Sequence, residues 1–128
     1  MFVPGPFPAI IVVEDAPDIL IVLRRVLHDL QLAYDIITVD NGLSALAQAA
    51  QHPCALLITD YMLSGINGLE LAREFKERWR CPVIMITAYA TPELREAART
   101  AGIDRFLSKP FMVDALETAV CRVLPPAR

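Results

Sequence analysis

Three carboxylates stand where apolar runs stop: Glu14 and Asp15 directly after Ile10-Ile11-Val12-Val13, and Asp60 directly after Leu56-Leu57-Ile58-Thr59. Brought together they would repel, each raising the others' pKa unless a cation offset the charge. A hard divalent ion answers that need, and an oxygen-only donor set with no His or Cys at the strand ends favours Mg²⁺. Two further runs end in Thr87, a hydroxyl donor, and near Lys109, an ammonium on a long flexible stem. A carboxylate, a metal, an ammonium and a hydroxyl facing one crevice suit an anionic group rich in acceptor oxygens, which is a phosphoryl group. Asp60 can be its nucleophile, because carboxylates form aspartyl-phosphate intermediates. Taken singly, each residue has a plainer reading. Glu14-Asp15 fits a helix N-cap with an acidic first turn, Thr87 a strand end, Lys109 a solvated loop lysine and Phe106 a core ring. The joint pattern is what points to chemistry.

These groups meet only if their strands end at one edge of one sheet. Ala9–Val13 is a β-branched apolar run of the kind buried on both faces of a parallel sheet. Pro17 suits the first turn of a helix whose inner stripe is Leu20, Leu23, Leu27 and Leu30. Tyr34–Val39 is a more polar strand that suits a sheet edge, and Asn41-Gly42 turns the chain. Leu43, Leu46, Ala47 and Ala50 mark the inner face of a second helix, closed by His52-Pro53. Ala55–Thr59 is the third strand. A loop with Gly65, Asn67 and Gly68 leads to a third helix with Leu71, Ala72, Phe75 and Trp79 inward and Lys76, Glu77, Arg78 and Arg80 as its solvated face. Trp79 belongs to the far end of that helix. Residues 82–87 form the fourth strand, and Thr91-Pro92-Glu93 supplies an N-cap, a proline at the first helical position and an acidic first turn for a fourth helix that Gly102 ends. Residues 103–108 form the fifth strand. A fifth helix places Val113, Leu116, Val120 and Leu124 inward before Pro125-Pro126 stops it.

Strict β/α alternation predicts an α/β, doubly wound five-stranded parallel sheet with helices on both faces. The order 2-1-3-4-5 sets the reversal between strands one and three, and ligands bind at the strand carboxyl ends there. That crevice lies between Glu14-Asp15 and Asp60.

The 128 residues amount to one domain. A hydrophobic content of 55% against 21% charged residues excludes a disordered chain, and a net charge of −3 disfavours nucleic acid as a direct partner. Residues 1–8 read as an irregular Pro-rich leader without a basic n-region, 9–124 as the domain, and 125–128 as a C-terminal tail. The longest uncharged stretch, residues 41–59, contains Asn, Ser, Gln, His and Pro, so no membrane span is expected and a cytoplasmic location fits. Cys54, Cys81 and Cys121 are widely spaced with no CxxC pair, which suggests neither a disulfide framework nor a zinc site.

The chain resembles the receiver domain of two-component response regulators over roughly residues 10–124, either in its stand-alone, chemotaxis-regulator-like form or as a piece of a larger regulator. The motifs that carry the resemblance are Ile11-Val12-Val13-Glu14-Asp15, the run from Thr59-Asp60 through Gly68-Leu69-Glu70-Leu71, Val83-Ile84-Met85-Ile86-Thr87-Ala88, and Phe106-Leu107-Ser108-Lys109-Pro110-Phe111. It implies a flavodoxin-like fold in which Asp60 accepts a phosphoryl group from a sensor histidine kinase or a phosphotransfer protein. It further implies Mg²⁺, with Mn²⁺ able to replace it, held by Asp15, Asp60 and the Met62 carbonyl, with Glu14 assisting through water. Lys109 would hold the phosphoryl oxygens and Thr87 with Phe106 would form a switch pair. Met62, Ala88 and Tyr89 would rim the site. The surface of helix four, strand five and helix five would then signal to an output partner that the sequence does not identify. Such a domain is no enzyme in the ordinary sense, since it assists only its own phosphorylation and dephosphorylation. Leu63 departs from the proline frequent in the family and removes no ligand.

The competing reading within the family is a docking module that does not depend on phosphorylation. A flavin or nucleotide module would need a Gly/Ser/Thr-rich phosphate loop after strand one, where Glu14-Asp15-Ala16-Pro17 stands. An aspartate-nucleophile phosphatase wants a second acid at the position of Met62.

Overall fold

All five residues of the first strand are buried, because Ala9–Val13 offers no polar side chain to either face of the sheet. The computed structural model describes residues 7–124. Most of the expected leader and all of the expected tail lie outside them. The elements follow in strict alternation: β1 (Ala9–Val13), α1 (Pro17–Asp29), β2 (Asp35–Val39), α2 (Gly42–Gln51), β3 (Cys54–Thr59), α3 (Gly68–Trp79), β4 (Val83–Thr87), α4 (Pro92–Thr100), β5 (Arg105–Ser108) and α5 (Val113–Val123). The strands form one parallel sheet in the order β2-β1-β3-β4-β5. The doubly wound architecture, the order and the edge position of the polar β2 therefore stand as the sequence predicts.

Period-two alternation along the strands divides the core into two layers. Ile10, Val12, Leu56, Ile58, Ile84 and Ile86 pack against Leu23 and Leu27 of α1 and Leu116 and Val120 of α5. Ile11, Val13, Leu57 and Val83 pack on the other face against Ala45 and Ala49 of α2 and Leu71 and Phe75 of α3.

Local chemistry sets the helix ends. Thr91 accepts a hydrogen bond from the Leu94 amide at 3.1 Å, with Pro92 opening α4. Asn67 and Glu70 form a capping box at α3, the Asn67 side chain accepting from the Glu70 amide at 2.9 Å and Glu70 accepting from the Asn67 amide at 3.1 Å. At α1 the capping position falls on Ala16, with Pro17 next and no side-chain cap. Neither Glu14 nor Asp15 is the N-cap residue.

Three expectations need correction. In α2 the buried positions are Gly42, Ala45 and Ala49, whereas Leu43, Ala47 and Ala50 are exposed. Its polar stripe of Ser44, Gln48 and Gln51 flanks the helix, and its small residues, not its first leucine, meet the sheet. Val113 opens α5 exposed, one turn before the helix reaches the core at Leu116. Lys76 is no solvated-face residue: its ammonium donates to Asp104 at 2.8 Å. Cys54 and Cys81, distant in sequence, are free thiols in keeping with the sequence reading, and the fold sets their sulfurs 3.0 Å apart. Trp79 stands where expected, at the end of α3, its ring edge-on to Phe75 with centroids 5.0 Å apart.

Candidate functional site

Register brings the acids together. Val13 is paired with Thr59 in adjacent parallel strands, so the residues that follow, Glu14 and Asp60, leave the sheet side by side. The Asp60 amide donates to the Val13 carbonyl at 3.2 Å and the Glu14 amide to the Val39 carbonyl at 3.1 Å, which extends the ladder to the rim of the crevice. Both side chains are buried, Glu14 at 2% exposure and Asp60 at 8%. Asp15, next in sequence, is exposed.

Lys109 reaches this point from beyond β5. Its amide donates to the Thr87 carbonyl at 2.9 Å, and the bond to Pro110 is cis. Its ammonium donates to Glu14 Oε1 and to Asp60 Oδ2, each at 2.7 Å. Burial pulls the lysine pKa down, yet the hydrogen bonds to Asp60 and Glu14 outweigh it and the net direction is up, so the ammonium stays charged. Glu14 thus touches Lys109 directly, a contact the sequence reading did not include.

The loop after β3 is held by backbone groups. Asp60 Oδ1 accepts from the Met62 amide at 3.2 Å, and Glu14 Oε2 accepts from the Ala16 amide at 3.1 Å. The Gly68 amide donates to the Tyr61 carbonyl at 2.8 Å. A Cβ on Gly68 would run into the Asp60 carbonyl, so α3 can start against the acceptor loop only because this position has no side chain. The sequence shows Gly68 as a loop residue; the close approach has no local signature.

Thr87 is fully buried at the end of β4, and its Oγ accepts from the Tyr89 amide at 3.1 Å. Its own proton is left to donate elsewhere. Met62 and Tyr89 are both about half exposed and line one hollow with Tyr61, Leu69 and Leu94. Ala88 is exposed. Phe106 pairs with Met85 in the sheet and is half-buried, with the Arg95 guanidinium 4.7 Å from its ring centre. Arg95, on α4, also donates to Ser108 at 3.1 Å. Nothing in its helical spacing marks it for that role.

The structure therefore gathers Glu14, Asp60 and Lys109 into one buried cluster and leaves Asp15 at its surface. Among the described residues no three His, Cys, Asp or Glu side chains converge closely enough to hold a metal ion. The donor chemistry still fits a hard divalent ion: the side chains offered are all oxygen donors, with Glu14 and Asp60 meeting at the Lys109 ammonium and Asp15 exposed next to Glu14 in sequence.

The fold is that of solved receiver domains. The signal receiver domain of an HD domain-containing protein from Pseudomonas fluorescens superposes with a TM-score of 0.84 at 24% identity, covering 91% of this chain and 94% of that one. The chemotaxis response regulator CheY4 of Vibrio cholerae gives 0.81 at 25% identity, over 92% and 99% of the two chains. The family model described as the response regulator receiver domain matches residues 10–121, and the chain belongs to that family. Among curated relatives, the virulence sensor protein BvgS of Bordetella bronchiseptica is 36% identical over 84% of this chain but only 9% of its own length. The response regulator ArlR of Staphylococcus epidermidis is 34% identical over 90% of this chain and 52% of its own. The chain thus spans about half or less of these relatives. No described helix is long and apolar enough to cross a membrane.

Proposed function

We propose that this receiver domain takes a phosphoryl group onto Asp60 from a sensor histidine kinase or a phosphotransfer protein, and that the change is read on the surface of α4, β5 and α5. The observation that carries the reading is the buried cluster of Asp60, Glu14 and Lys109, held at 2.7 Å contacts across 49 and 95 residues of sequence. Isolating two carboxylates with one lysine costs stability unless the group they receive uses them. The names of the relatives, a sensor protein and a response regulator, agree with it. A cytoplasmic location belongs to the same proposal.

A carboxylate oxygen of Asp60 forms the new O–P bond in line with the bond that breaks, and the leaving group departs with its electron pair. Lys109 keeps its charge beside that oxygen and neutralises the phosphoryl oxygens as they arrive. The free proton of Thr87 then has an acceptor, and movement of the hydroxyl away from the Tyr89 amide loosens the turn after β4. Phe106 follows as the ring that fills the space. Mg²⁺, or Mn²⁺ in its place, would be held by Asp15, Asp60 and the Met62 carbonyl with Glu14 behind water, and would supply charge compensation for the transfer.

Incubation with Mg²⁺ and a small acyl phosphate, followed by intact-mass measurement, should add one phosphoryl group. Asp60→Asn should add none. Labelling that survives this substitution would overturn the assignment, and a wild-type chain that remains unlabelled while binding its kinase would favour the docking module instead.

A further inference from the structure

At the opposite end of β3 from Asp60, two cysteines far apart in sequence are neighbours. Cys54 is the first residue of β3, and Cys81 stands two residues before β4, the adjacent parallel strand. The Leu57 amide donates to the Pro82 carbonyl at 2.9 Å, which fixes the height of the two strand starts relative to each other. Both side chains turn to the face covered by α2 and α3, and their sulfurs lie 3.0 Å apart, one thiol donating to the other. A disulfide bond is about 2.05 Å long, so the sulfurs have about 1 Å to close.

The pair is unequal. Cys54 is partly exposed whereas Cys81 is buried at 1% exposure. The hydrogen bond from Cys81 lowers the Cys54 pKa, and the same bond, with burial, raises that of Cys81. The Lys76 ammonium adds a local positive charge, donating to the Cys81 carbonyl at 3.4 Å. One thiol is therefore reachable and the more acidic of the two, and the other is shielded and positioned to respond. Cys121 is exposed on α5 and is not part of this pair.

We propose that Cys54 and Cys81 form a reversible oxidation site that a hydroperoxide converts to an intrachain disulfide. Cys54 loses its proton and attacks the peroxide; an S–O bond forms, the O–O bond breaks, and the alcohol or water leaves with the electron pair and a proton. The Cys81 sulfur then attacks the sulfenic sulfur of Cys54. The S–S bond forms, the S–O bond breaks, and hydroxide leaves, taking the Cys81 proton as water. Two thiols lose two electrons and two protons, and the peroxide gains both. A dithiol reductant reverses the step by exchange. The site is about 20 Å from Asp60, at about 3.3 Å per strand residue, and shares no residue with the cluster of Asp60, Glu14 and Lys109.

The folded protein is treated with hydrogen peroxide, its remaining thiols are alkylated after denaturation, and the products are mapped by peptide mass. The expected result is a loss of two hydrogen masses, one alkylated residue (Cys121), and a cross-linked peptide pair joining Cys54 to Cys81 that dithiothreitol dissolves. The same oxidation in concentrated urea should yield mixed pairings that include Cys121. In Cys81→Ser, Cys54 should instead stop at a sulfenic acid that a cyclic 1,3-dione traps, whereas Cys121→Ser should cross-link as the wild type does. Native cross-links that include Cys121, or Cys54 and Cys81 both recovered as alkylated thiols after Cys121 has been oxidised, would overturn the proposal. The mapping on the wild-type chain decides the matter even where a serine variant folds poorly.

Discussion

The guanidinium of Arg95 lies 4.7 Å from the ring centre of Phe106, bridging α4 to β5 across the surface on which the switch would be read. The same side chain donates to Ser108, so it is held at two points on β5. A partly exposed cation–π contact contributes about 0.5–1 kcal/mol. If it favours the unphosphorylated ring position, Arg95→Ala should raise the unphosphorylated fraction in the switched state about two- to fivefold, since about 1.4 kcal/mol is tenfold. Amide chemical shifts of β5 and α5 without donor should move part of the way to their phosphorylated values. Wild-type shifts in the variant would show that Arg95 does not restrain the ring.

Removing Lys109 leaves Glu14 and Asp60 buried and facing one another. Breaking a buried ion pair from one side costs about 3–5 kcal/mol. Lys109→Ala should lose stability of that order in urea titrations, and added Mg²⁺ should recover part of it by supplying the missing charge. A deficit under about 1 kcal/mol would place the cluster in the range of solvent-screened surface pairs.

Two glycines of the acceptor loop should behave differently. Gly68→Ala forces a methyl group into the Asp60 carbonyl, and overpacking of this kind costs about 1–3 kcal/mol while displacing the acceptor. Phosphorylation by an acyl phosphate should slow markedly. Gly65 has φ of +77° and open space around it, so Gly65→Asn, which tolerates that conformation, should leave the rate nearly unchanged. Equal effects would mean that loop strain, not the approach of α3, governs the acceptor.

Met62 and Tyr89 line one hollow beside the proposed acceptor, and neither offers a carboxylate or amide to orient an attacking water. Slow self-dephosphorylation is expected. Met62→Asn combined with Tyr89→Glu should shorten the phosphoryl lifetime with little change in Mg²⁺ affinity, followed by mass after the donor is removed. An unaltered lifetime would show that these side chains do not control water access.

The strands were the most readable elements, because β1, β3 and β4 are buried on both faces and their runs admit almost no polar residue. The Thr91-Pro92-Glu93 start was equally plain, since capping is local chemistry. In α2 the reading failed for a physical reason: the polar stripe of Ser44, Gln48 and Gln51 flanks the helix instead of lying opposite the sheet, so Leu43, Ala47 and Ala50 take the outward face while Ala45 and Ala49 meet the core. The acids and Lys109 could be assigned to one crevice from strand order alone. Their pairing could not, nor could the Gly68 approach, the Arg95 stack or the two thiols. Each joins residues from different elements, with nothing in the local sequence to announce it.

The hydrogen bond between Lys109 and Glu14 joins residues 95 apart, one leaving the first strand and one leaving the last. Both come into place only after nearly the whole sheet has formed between them. If Asp60 takes a phosphoryl group as proposed, a nascent, clipped or partly unfolded copy would present it without its lysine and would be charged poorly. On that proposal signal competence is tied to structural integrity: a damaged receiver would fall silent instead of reporting falsely, with no separate quality check required.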